Sequence, residues 1–238
     1  MALTATATPA SDATTPVAPW WNTVLILLLL AAGSAASAHF HGLPRFPIPG
    51  LRPRVAAYIV TLLMEWFTVL LIWWGLRIRG RSIFDLISGR WQKVSTFFKD
   101  LGWAVAFLVV AFPSLQLIAR LLHANYDAKA ILPATVPELI LWLLLAATAG
   151  FCEELMFRGY LYRQFSGWTG NRIAGMALQG VAFGLAHGYQ GWRMMTLIMI
   201  FGWMFGALAL WRKSLLPGML AHWLQDSGGG LLGFFSRG

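Results

Sequence analysis

Between Trp20 and Ala38 no side chain carries a charge, and apolar runs of similar length recur at 55–76, 101–119, 137–165, 171–187, 194–211 and 215–235. A backbone surrounded by hydrocarbon must satisfy its N–H and C=O groups internally, which leaves only helices or a closed barrel, and runs of this length suit helices. The chain of 238 residues is 58% hydrophobic and 11% charged, with a mean hydropathy of +0.64, far from the make-up of a soluble domain. The expected fold class is therefore all-α: a polytopic membrane helix bundle of about seven transmembrane helices around a polar intramembrane cavity.

Residues 1–19, rich in Ala, Thr and Pro and without Lys or Arg, read as a disordered N-terminal tail. The first run ends Ala36-Ser37-Ala38, which resembles a signal-peptidase site, but the missing basic n-region and the long leading tail favour an uncleaved anchor. A connection with Arg45, Pro47, Pro49, Arg52, Pro53 and Arg54 leads to the second run, broken only by Glu65, a lone carboxylate that can pair with a donor on another helix or line the cavity but reads best as a protonated or hydrogen-bonded structural group. Residues 20–133 thus form an N-terminal group of transmembrane helices. Within it the basic amphipathic loop at 77–100 intersperses Arg77, Arg81, Arg90 and Lys99 with Phe84, Leu86 and Trp91, a pattern suited to a helix on the membrane surface. Pro113 predicts a kink in the third run. Residues 134–238 form the remaining helical core.

The net charge of +9 is spread over short connections and forms no long basic stripe, which argues against nucleic acid as a partner and for anionic lipid head groups. The loops after the second, fourth and sixth runs hold eleven of the eighteen Lys and Arg, so the positive-inside rule places that end in the cytoplasm. Gly180 and Gly184, Gly184 and Gly188, and Gly202 and Gly206 have the four-residue spacing that lets helices approach closely, though such spacings are common in a glycine-rich chain. The single cysteine, Cys152, rules out an intrachain disulfide and reads as packing, because a thiol inside an apolar helix is a poor nucleophile.

Against this apolar background, Glu153 and Glu154 stand side by side in a membrane run. A carboxylate there costs several kcal/mol unless it is paired or faces a wet cavity. Residues four apart share a helix face, so Glu154 can pair with Arg158, and His222 with Asp226. Glu153 lies about 100° round the helix from Glu154, so the two carboxylates should point different ways, leaving Glu153 to face a cavity. Counted from the turn near Trp168, antiparallel helices bring His187 to the depth of Glu153, and His222 on the last helix would complete a Glu-His-His group.

Glu153-Glu154-x-x-x-Arg158, Phe183-x-x-x-His187 and His222-x-x-x-Asp226, in that order on apolar helices, resemble the CPBP family of intramembrane proteases. That family includes type 2 CAAX prenyl endopeptidases and bacterial proteins linked to bacteriocin maturation or self-immunity. The resemblance covers 134–235 and implies an integral protein of a bacterial plasma membrane, with its active site open to the cytoplasm. Its implied activity is hydrolysis of a peptide bond in a membrane-associated protein or peptide. By that resemblance Glu153 is the general base, His187 its partner in holding the attacking water, and His222 the oxyanion stabiliser together with position 226. Glu154, Arg158 and Phe183 would support them. Position 226 is often Asn in the CAAX enzymes; Asp226 must either stay protonated to donate or orient His222 instead.

Glu153, His187 and His222 are also ligand types of a catalytic zinc site, and the resemblance is compatible with either no cofactor or zinc. No His-Glu-x-x-His pair fixes two ligands on one helix, which favours a glutamate mechanism. Two other functions use the same residues: a catalytically silent immunity or binding protein, and a proton-coupled transporter. Intact candidate catalytic positions argue against the first. The lack of an internal repeat argues against the second.

Overall fold

The structure, a computed structural model, describes residues 15–39 and 50–236, and the regular elements among them are all helical. In chain order these are α1 (Trp20–His39), α2 (Pro53–Ile78), α3 (Ile83–Ile87), α4 (Val94–Leu122), α5 (Val136–Glu153), α6 (Tyr162–Thr169), α7 (Arg172–Ala186), α8 (Trp192–Arg212) and α9 (Leu216–Phe235). A π-helical segment, Glu154–Leu161, joins α5 to α6, so that 136–169 is one uninterrupted rod. The turn expected at 166–170 is thereby shortened to Gly170, which closes α6 with φ +63°.

Each of the seven expected runs forms a helix, but among the described residues five rods have the length and apolarity of a membrane span: α1, α2, α4, the 136–169 rod and α8. Helix α7 has only 15 residues. Helix α9 has 20 but carries His222, Gln225 and Asp226. Those residues serve the site rather than the lipid.

Two expectations fail for local reasons. No surface helix spans 77–100: α2 runs on to Ile78, α4 starts at Val94, and α3 between them has five residues. Ser82 and Asp85 form a reciprocal capping box at its start, and Ser88, with φ 53°, ends it. The tail is also not free up to residue 19. Val17 and Ala18 are buried, and both backbone N–H groups donate to Gln164 Oε1. Residues 1–14, together with Arg45, Pro47 and Pro49 of the Pro- and Arg-rich connection, lie outside the described residues. Pro113 sits inside α4, which continues through it.

A chain of polar contacts ties α1 to the motif rod. Gln164 Nε2 donates to Thr23 Oγ1 at 2.6 Å, Thr23 meets Tyr160 OH at 2.9 Å, and Tyr160 donates to Asn22 Oδ1 at 2.6 Å. Each group is buried with a partner, the condition for polar side chains in a membrane interior.

Gly180, Gly184, Gly202 and Gly206 form the seam between α7 and α8. A Cβ on Gly184 would stand 2.8 Å from the Met195 carbonyl, and one on Gly206 2.7 Å from Gln179 Nε2. Gly150 does the same for α5 and α9, where a Cβ would lie 2.8 Å from the Met219 carbonyl and 3.0 Å from Trp223 N. Gly184→Ala should therefore destabilise the bundle by about 1–3 kcal/mol, the usual cost of overpacking, read as a lower Tm in detergent. Gly228→Ala, with nothing within 4 Å of its Cβ, should change Tm far less.

Candidate active site

The site is built upward from the Glu154–Arg158 pair. Arg158 Nη1 lies 3.0 Å from Glu154 Oε1, and both side chains are fully buried. The guanidinium stacks near the rings of Phe183 at 4.2 Å and Phe205 at 4.9 Å, and its Nη2 donates to the Gly202 carbonyl at 3.4 Å. Ring faces and a fixed carboxylate substitute for the water an arginine loses on burial.

Helix α9 brings His222 onto this pair. Its Nδ1–H donates to Glu154 Oε1 at 3.2 Å, so one carboxylate oxygen serves both Arg158 and His222. The other ring nitrogen, Nε2, is 3.6 Å from Asp226 Oδ2 and 3.8 Å from Glu153 Oε2. These separations exceed a direct hydrogen bond and suit a bridging water. The adjacent glutamates therefore do not go to different partners as their helical offset suggested. His222 lies between them and presents one nitrogen to each.

His187 is fixed by a different device. It caps the C-terminus of α7, where its Nδ1 lies 2.9 Å from the carbonyl of Phe183. A carbonyl only accepts, so Nδ1 carries a proton, and in the neutral ring Nε2 then keeps its lone pair. The Phe183 ring meets the His187 ring edge-on at 4.9 Å. One phenylalanine thus supports both the arginine and the histidine.

Glu65, Glu153, Phe183, His187, His222 and Asp226 all line one cavity of about 480 Å³. Glu65 enters it from α2, and its Oε2 is buried with no hydrogen-bond partner among the described residues. It belongs to the site rather than to a separate structural contact. The cavity extends to Gln116 and Ala119 near the end of α4 and to Tyr189 and Gln190 between α7 and α8. That is the end of the bundle opposite the basic turns at 79–93. The sequence led us to expect a cavity reached from the side of the 77–100 segment; these lining residues lie at the other end of the helices.

Among the described residues, no three His, Cys, Asp or Glu side chains are grouped to hold a metal ion. Within the zinc set considered above, His222 commits Nδ1 to Glu154 and keeps Nε2 3.8 Å from Glu153, so these side chains as arranged do not make a ligand set. Cys152 is buried in the core and adds no nucleophile.

Phe205 and Gln179 escaped sequence reasoning, and Glu65 lines the cavity where a structural group was the favoured reading. Gln179, buried on α7, donates to the same Gly202 carbonyl as Arg158, at 3.1 Å. Its placement one turn before Phe183 was the available signal.

No curated protein and no solved structure matches the chain. Residues 133–228, which contain every residue of the three motifs, match the family described as type II CAAX prenyl endopeptidase, Rce1-like. That match and the helical membrane architecture support assigning residues 133–228 to the CPBP/CAAX protease family.

Proposed function

We propose that the protein is an intramembrane endopeptidase acting on a membrane-associated protein or peptide, with Glu153 as general base. The observation that carries this reading is the convergence of Glu153, His187 and His222 on one cavity inside an apolar bundle, with His222 anchored from behind by Glu154 and Arg158. A water held between Glu153 and the free Nε2 of His187 loses a proton to Glu153 as its oxygen attacks the scissile carbonyl carbon. The carbonyl oxygen gains negative charge beside His222 Nε2. Glu153 then passes the proton to the leaving nitrogen as the C–N bond breaks, which restores the carboxylate.

For His222 to donate to the oxyanion it must carry protons on both nitrogens, and that cation sits among three carboxylates within 4 Å. Asp226 is therefore read as the group that orients Nε2 and balances its charge, not as a second oxyanion donor. His222→Ala should lower turnover about 10²–10³-fold, as loss of an oxyanion donor does. No step here uses a metal, so cleavage by purified protein should survive a chelator. Loss of cleavage that added zinc restores would overturn this mechanism.

The deciding experiment compares membrane proteomes of cells expressing wild-type protein or Glu153→Gln, searching for peptide termini that appear only with the wild type. New ends beside a membrane segment would support the protease and identify its substrate. Identical termini with both proteins folded would favour a silent binding protein.

Orientation follows from charge. The basic end at 79–93 is assigned to the cytoplasm by the positive-inside rule, and the cavity then opens at the other face. Gln92→Cys and Asn125→Cys, both exposed and at opposite ends, test this with an impermeant thiol reagent on intact cells. Labelling of Asn125→Cys alone is expected. Labelling of Gln92→Cys alone would instead open the cavity to the cytoplasm.

A further inference from the structure

At the end of the bundle away from the active-site mouth lies a second cavity, of about 290 Å³, room for on the order of ten waters. Arg81, Arg163, Arg172 and Lys213 line it, contributed by the turn after α2, by α6, by the first residue of α7 and by the cap of α8. None of the four has an ion-pair partner among the described residues. Arg81 and Arg163 are close enough for their charges to oppose each other. Asp85 is the acidic group acting on Arg163, but its carboxylate already accepts the Ser82 N–H at 2.8 Å.

Neutral partners are present without the missing charge. Arg163 donates to Ser88 Oγ at 3.0 Å and Arg81 to Thr15 Oγ1 at 3.5 Å, and Ser88 and Thr15 both line the cavity. Deeper in, Arg158 also lines it, 3% exposed and with Nε lacking a hydrogen-bond partner among the described residues. Leu86, Leu210 and Leu215 supply an apolar wall. Four like charges round one void at the helix ends call for a multiply accepting anion, and the apolar wall calls for one with a hydrocarbon attachment.

We propose that this cavity binds the phosphate of an anionic phospholipid head group, with the Arg81, Arg163, Arg172 and Lys213 cations around the phosphate and the glycerol end against the leucines. The site is separate from the peptidase reading, and Glu153→Gln protein should bind the same lipid.

The test is native mass spectrometry of the full chain from nanodiscs containing equal phosphatidylglycerol and phosphatidylcholine. Wild type should retain phosphatidylglycerol in preference, and Arg172→Gln/Lys213→Gln should lose roughly tenfold or more of that preference. Both residues are exposed, so the variant should keep its Tm in phosphatidylcholine alone. Arg77→Gln/Arg79→Gln removes the same charge from exposed positions near this end that do not line the cavity, and should retain the preference. Equal retention by wild type and the cavity variant would overturn the proposal, as would an equal loss in the control variant. A third arm adds inorganic phosphate to wild type in phosphatidylcholine nanodiscs. Stabilisation matching that by phosphatidylglycerol would replace the lipid with a small soluble anion and overturn the head-group assignment.

Discussion

Glu153→Gln is expected to fold like the wild type and to cleave about 10²–10⁴-fold more slowly, the range for loss of a positioned general base. The two halves of this expectation have separate structural grounds. Glu153 is not part of the ion pair that anchors the site: its side chain is 18% exposed, its Oε2 has no hydrogen-bond partner among the described residues, and His222 Nε2 lies 3.8 Å from it. An amide of the same shape leaves the helix packing intact and removes a base that an amide nitrogen cannot replace. The measurement is turnover of an identified substrate by purified protein beside its Tm. Wild-type turnover at unchanged Tm would remove Glu153 from the chemistry. Glu65→Gln provides a contrast, since Glu65 lines the same cavity from α2 but lies outside the three motifs. If Glu65 shapes the field around Glu153, that variant should move the pH profile of cleavage without abolishing it.

The long apolar runs made the helices legible because a membrane interior leaves the backbone so few choices, and the four-residue spacings of Glu154 with Arg158 and His222 with Asp226 gave two contacts directly. Other features depended on tertiary packing. The convergence of Glu153 and Glu154 on one imidazole needed the position of α9, set by the close approach at Gly150. Phe205 is one of sixteen phenylalanines, and nothing local marks it as a platform for Arg158. The short capped α3 was readable in principle from Ser82 and Asp85, three apart, but the surrounding basic and apolar residues imitate an amphipathic helix. The position of the cavity mouth could not be read from local sequence at all. It depends on which ends of α4, α7 and α8 surround it.

Arg158→Ala should have the larger effect on folding, with loss of about 3–5 kcal/mol, because it leaves Glu154 as an uncompensated buried charge. The effect should spread further than for a typical ion pair. Glu154 Oε1 also accepts His222 Nδ1–H, and the guanidinium fills the space between Phe183 and Phe205, so one truncation loosens α7, α8 and α9 together. Arg158→Lys separates charge from shape. It keeps the cation but lacks the planar fork that stacks on two rings, so it should recover part of the stability and less of the activity. Glu154→Gln should also destabilise, and the double variant Glu154→Gln/Arg158→Ala should be less damaged than the sum of the single changes, because it leaves neither charge unpaired. Thermal unfolding of the four variants in one detergent decides the matter. Additive losses would mean that the 3.0 Å contact carries no coupling, and that His222 owes its position to α9 packing alone.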